Sequence, residues 1–330
     1  MKKIITIILL LVALAVLIYQ QTNNTIKQEL RDFAVEDIST ITKVFLADRH
    51  GHDVTLFKTD DKWLVENKYP ARKDGIEIML STMNKVRVRQ PVSESMHNNV
   101  IKNLAASSVK VEIFTDNTDE AEKTYYVGGE VADLLGSFMM MENSSKAFIT
   151  HIPGFNGFLA PRYSIEGTRV SMDLWRDRSI LNMDAADIEF VSVEHHENET
   201  AEGNLYLDKV NGNFVLFENG EGSLANQERV NTYLQLWGKA NCEGFMNDFS
   251  KKDSIINSAP FHTIKVWNKD GEEKTIRTYH KAPKRAEYQD LNGQPLKWDV
   301  DRMYAYDGTD FTLIQFYTFN KLLLSPNDLR

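Results

Sequence analysis

From position 41 onward apolar residues recur in short alternating runs. Ile41, Val44 and Leu46, then Val54 and Leu56, then Trp63 and Val65 form three β-rich stretches. Arg49-His-Gly-His-Asp53 and Thr59-Asp-Asp-Lys62 divide them with turn chemistry, and runs so divided predict an antiparallel meander. Next, Ile76, Met79, Leu80, Met83 and Val86 fall at helical spacing, which predicts a helix laying one stripe on the sheet. Leu134, Leu135 and Phe138, followed by Met139-Met-Met141, read as the end of a further apolar helix face.

The same order of elements returns roughly 150 residues later, the signature of an internal repeat. Ile41, Val44 and Leu46 match Ile188, Val191 and Val193. Val54, Leu56, Lys58, Trp63 and Val65 match Leu205, Leu207, Lys209, Phe214 and Leu216. The helix stripe Ile76, Met79, Leu80, Met83 matches Val230, Tyr233, Leu234, Trp237. Val111, Ile113 and Phe114 match Ile264, Val266 and Trp267, and Phe148, Phe155 and Phe158 match Tyr304, Phe311 and Ile314. The fold expected is therefore α+β, two tandem similar modules of antiparallel sheet with packed helices. They cover residues 38–165 and 188–330, joined by a connector over 166–187. Within the connector, Ser171 to Leu181 reads as a short helix or strand that docks one copy on the other.

Residues 4–20 are almost wholly apolar and follow Lys2 and Lys3. At about 1.5 Å per residue such a run covers most of a bilayer's hydrocarbon core, and flanking lysines with Tyr19 extend its reach. A single transmembrane anchor is expected, with residues 1–3 cytoplasmic, 21–37 a stalk, and the bulk of the chain outside. Ala13-Leu-Ala15 has the form of a signal-peptidase site, but the apolar run continues through Val16, Leu17 and Ile18, which favours an uncleaved signal anchor.

The net charge of −9 becomes more negative once Lys2 and Lys3 are set aside, which argues against nucleic acid as a partner. Cys242 is the only cysteine, so stability must come from packing rather than from an internal disulfide. No motif for a nucleophile elbow, a zinc helix or a phosphate cradle is present. His50-x-His52 and His195-His196 lie in turns without a neighbouring cysteine, so no metal, catalytic or cofactor site is assigned. Val127-Gly-Gly-Glu130 and Asn219-Gly-Glu-Gly-Ser223 read as hairpin turns. Trp63, Phe214, Trp237 and Trp267 read as core. His151 to Tyr163 sets aromatics among glycines and prolines, making Phe155, Phe158 and Tyr163 a candidate partner surface, although both phenylalanines also suit a cap over the sheet.

The lysine-rich start and apolar anchor, Ile41-x-x-Val44-x-Leu46, the Lys62-Trp-Leu-Val65 strand after an acidic turn and the helix from Gly75 to Val86 carry a resemblance. Together they resemble a bacterial domain-of-unknown-function family of membrane-anchored envelope proteins, some encoded beside ABC transporters of the gliding-motility type. The resemblance covers most of residues 38–320. It implies a single-pass protein of the bacterial cytoplasmic membrane with a periplasmic ectodomain, acting as a non-catalytic accessory or scaffold without a cofactor. The partner implied is an ABC transporter subunit or another envelope protein. Two other readings stay open: a ligand-binding ectodomain with a cleft between the repeats, and an envelope-polymer hydrolase using paired carboxylates.

Overall fold

The computed structural model describes residues 32–60, 62–116, 118–197, 203–238, 240–284, 289 and 292–330. The expected cytoplasmic start, the span over 4–20 and the stalk up to residue 31 lie outside the described residues. Among the described residues no helix is long and apolar enough to cross a membrane. Contacts divide the chain between Asp177 and Arg178 into two compact units. Each is built on a large antiparallel sheet with a few helices, an α+β architecture.

In the first unit, β1 (Ile41–Ala47), β2 (Asp53–Lys58), β3 (Trp63–Val65) and β4 (Tyr69–Pro70) form the predicted meander. Helix α1 (Lys73–Lys85) leads to β5 (Arg87–Pro91), and α2 (Glu94–Ser107) to β6 (Val109–Thr115), β7 (Lys123–Glu130), β8 (Ser137–Met141) and β9 (Phe148–His151). A short helix α3 (Met172–Trp175) follows. The nine strands lie in the order β4-β3-β2-β1-β6-β7-β8-β9-β5. Alternation sends Val44, Leu46, Val54, Leu56, Val111 and Ile113 to one face, where Ile76, Met79 and Met83 of α1 cover them. Helix α2 lies on the opposite face, where Val100 and Leu104 meet Phe138, Met140 and Ile149.

The second unit starts at β10 (Ser179–Leu181) and continues through β11 (Ile188–His195), β12 (Leu205–Val210), β13 (Asn213–Glu218) and β14 (Glu221–Leu224). Helix α4 (Gln227–Leu234), β15 (Ala240–Asn241), β16 (Gly244–Phe245) and α5 (Lys252–Ile256) come next. The last elements are β17 (His262–Asn268), β18 (Glu273–His280), β19 (Arg302–Tyr306), β20 (Phe311–Gln315) and α6 (Phe316–Phe319). Apart from a two-stranded β10-β15 ribbon, the strands form a second nine-stranded sheet in the order β14-β13-β12-β11-β17-β18-β19-β20-β16. Asn211-Gly212 and Asn219-Gly220 make its two-residue hairpin turns, all four residues having the positive φ such turns require.

Position by position, the two sheets share one strand order, and they share register as well. Val44 faces Leu56 and Ile113 as Val191 faces Leu207 and Val266. A register shift falls between Ile41 and Lys43 in β1 and between Ile188 and Phe190 in β11. Lys58 opposes Trp63 as Lys209 opposes Phe214. The last of the five matched blocks is out of register. Met139 faces Phe148 as Ala305 faces Thr312, so Phe148 answers to Thr312, and Phe155 and Phe158 lie beyond the strand.

Three other expectations are corrected. Met139-Met-Met141 belongs to strand β8, because its apolar residues are shared between two buried faces: Met139 in the main core, Met140 under α2. Gly128 and Gly129 lie inside β7 at a register shift between Val127 and Glu130, where a Cβ on Gly128 would stand 2.5 Å from Leu104 Cδ2. The bare glycine is what admits α2 to this face. Trp237 is wholly buried and Phe214 nearly so, whereas Trp63 only packs partly against the core. Trp267 lies half-buried on the other face, stacked on Phe190 at 3.6 Å between ring centroids.

Candidate functional site

The loop after β9 does not form the surface expected of it. Tyr163 is wholly buried, its hydroxyl 2.9 Å from that of Tyr125, with the rings edge-on. Burial pushes both phenols well above their ordinary range, so they stay neutral and share a hydrogen bond. Phe155 and Phe158 are half-buried against the same core, and the Arg162 guanidinium covers the Phe155 ring at 4.7 Å while Arg162 Nε donates to Thr82 Oγ1. The loop caps the sheet.

A different surface emerges from strand register. On the outer face of the first sheet, Phe114, Lys43, Phe57 and Leu64 line up across β6, β1, β2 and β3. Phe45 and Glu112 form part of the next row. In the second sheet the corresponding rows are Trp267, Phe190, Asp208, Val215 and Leu224, and Lys265, Ser192, Tyr206. Phe45, Phe57, Leu64, Phe190 and Val215 are half-buried yet take no part in the four buried apolar clusters. Lys43 sits over the Phe114 ring at 3.7 Å, and Lys110 pairs with Glu112 at 2.6 Å. The face is thus rich in aromatic rings, as protein interfaces are, with lysine and glutamate side chains paired among them. Its signal in sequence is an unbroken apolar run, as in Val44-Phe-Leu46: a strand with apolar residues in both phases has two faces to cover.

Histidines gather at one end of the second sheet. His195 and His262 are direct cross-strand partners with ring centroids 5.0 Å apart, and His280 lies two residues beyond Thr278, the partner of His262 in β18. Phe261 lies tilted between His262 at 3.8 Å and His280 at 4.0 Å, and Trp298 stacks on His280 at 4.7 Å. His196 takes the other face, 2.8 Å from Thr263 Oγ1. The adjacent pair His195-His196 is visible in the sequence, but His262 and His280 join it only through strand pairing. In the first unit, Asp48 accepts from the backbone N–H of His50 and of His52 and lies 2.9 Å from His52 Nδ1, which fixes the β1-β2 turn.

Among the described residues no group of three or more His, Cys, Asp or Glu is placed to hold a metal ion. Cys242 is buried in the second core. Near it in sequence, Glu243 accepts from Arg302 Nε at 2.8 Å and Gln315 Nε2 at 3.0 Å, and Asp299 pairs with Lys281 at 2.8 Å. The chain matches no protein-family model, no curated protein and no solved structure.

Proposed function

We propose that the chain is a membrane-anchored envelope accessory protein, a duplicated, non-catalytic scaffold ectodomain that presents the open outer faces of its two sheets to a protein partner. The observation that carries this reading is the repeated outer face. In each unit one helix covers the β7-to-β9 or β18-to-β20 end, while the aromatic and charged rows on the meander strands are left to something else. Six carboxyl groups, Asp37, Asp48, Asp74, Asp133, Glu243 and Asp299, lie below the ordinary carboxyl range, Asp37 held there by Ser39, Asp74 by Arg72, Asp133 by the Leu135 N–H and Arg89, and Glu243 by Arg302. None of these six suits the role of a carboxyl general acid, which needs the opposite shift.

The apolar run 4–20 behind Lys2 and Lys3 supports, in this reading, a scaffold held outside the cytoplasmic membrane and close to it. Confinement there raises the effective concentration of a co-anchored partner, so a modest interface suffices. The resemblance to proteins encoded beside ABC transporters makes a transporter subunit the first partner to test. Replacing residues 1–20 by an efficiently cleaved signal peptide releases the same ectodomain. In a deletion strain this form should restore function poorly at matched abundance, and Phe57→Glu with Phe190→Glu in the anchored form should do likewise while circular dichroism stays unchanged. Full rescue by both would overturn the reading.

A further inference from the structure

At one end of the two sheets a matched set of core positions differs in chemistry. Val109 of β6 pairs with Val127 of β7, and the topologically equivalent pair in the second unit is His262 with Thr278. The neighbour of Val109 across β1 would be Asp48, and its counterpart is His195, the partner of His262 in β11. One unit therefore closes this end of its sheet with two valines and an ionised, fully hydrogen-bonded aspartate, the other with two imidazoles and a threonine.

The surroundings of His262 suit only a neutral ring. It is 5% exposed, its Nδ1 lies 2.9 Å from Thr278 Oγ1, and Phe261 covers one face. Of the charged or titratable groups around it, β11 contributes His195 and His196, and β18 contributes His280. The nearby carboxylates are engaged elsewhere: Glu197 Oε1 is 2.9 Å from His280 Nε2, and Glu194 Oε2 is 3.9 Å from His196 Nε2. Asp299, farther along, pairs with Lys281. From the C-terminal segment His195 meets a backbone carbonyl, that of Leu324. Every titratable group that acts on His262 thus becomes repulsive as acid is added.

We infer that the His195–His262 end of the second sheet is a proton-sensitive element that loosens the second unit in mild acid and leaves the first unit intact. Burial, then the neighbouring imidazoles, depress His262 from 6.5 to about 3, and burial lowers His195 as well. The sign follows directly. The unfolded chain takes up a proton below about 6.5 and the folded unit does not, so stability is complete above that pH and falls as pH drops toward 3. One such group changes the opening equilibrium by about tenfold per pH unit in that window. Were the ectodomain outside the membrane, as proposed above, it would read the pH of the surroundings directly; the element itself does not depend on that location.

Hydrogen exchange of the detergent-solubilised full-length chain tests this, read as protection factors between pH 7.5 and 5. Amides of β11 and β17 should lose about tenfold protection per pH unit below 6.5, while those of β1 and β6 hold. The double variant His262→Val, Thr278→Val, which installs the first unit's residues, should flatten the slope, leaving only the share of His195. Equal acid sensitivity in both units, or an undiminished slope after the substitution, would overturn the inference. If the variant fails to fold, imidazole NMR of the unaltered protein decides. A His262 ring that titrates near its ordinary value refutes the inference, and one still neutral at pH 5 supports it.

Discussion

Asp48 has a side chain with no exposed surface, yet it is ionised. Burial alone would raise its affinity for a proton. Hydrogen bonds from the backbone and ring of His52 and from the N–H groups of His50 and Val170 outweigh burial and bring it down to about 2. The sign is opposite to that of His262: this group contributes stability that is present above about 3.8 and lost as pH falls toward 2. Asp48→Ala should cost roughly 1–3 kcal/mol at neutral pH, the range for leaving buried donors unpaired, and should flatten the acid limb of the first unit's stability. Thermal unfolding of both proteins across that window measures it. Tyr163 shows the same dependence on remote partners. Its place in the core is fixed by the hydroxyl of Tyr125 and the stripe of α1, which no reading of the loop His151 to Tyr163 could supply.

Elements were legible where one face alone is buried. The meander strands and α1 announce themselves because a single alternation or a single stripe meets the core, and those same positions carry the repeat. Helix α2 gives no such signal: of its fourteen residues only Val100 and Leu104 are buried. Strand β8 misleads for the reverse reason, since both of its faces are covered and five apolar or small residues in a row mimic a buried helix. Gly128 reads as a turn in the sequence because glycine pairs usually mark one; in the fold the missing side chain is a packing requirement of α2. Gly128→Ala should therefore cost roughly 1–3 kcal/mol by overpacking against Leu104, with the backbone oxygen of Phe138 only 3.0 Å from the added carbon. Gly129, whose added Cβ would meet nothing within 4 Å, is the control and should tolerate alanine far better. Urea midpoints of the two variants separate a steric role from a conformational one.

At the scale of the whole molecule, the main apolar clusters of the two units have no residue in common: one runs from Phe33 to Trp175, the other from Ile180 to Leu329. Each closes its own sheet with its own helix, so the free energy of each core is gained within its own stretch of chain. Equivalent cavities placed in the two cores should then act locally. Leu56 and Leu207 are such a pair, both wholly buried and facing Val44 of β1 and Val191 of β11 at matching register. Leu56→Ala and Leu207→Ala should each cost about 2–5 kcal/mol, the range for emptying a packed leucine site. The loss should appear as reduced hydrogen-exchange protection in the mutated unit alone. Because buried sites of like geometry are compared inside one chain, differences in solvent, detergent or concentration cancel. Loss of protection spread evenly over β1, β6, β11 and β17 from either substitution would instead mean that the two sheets unfold as one cooperative body, and acid acting on His262 would then reach the first unit as well.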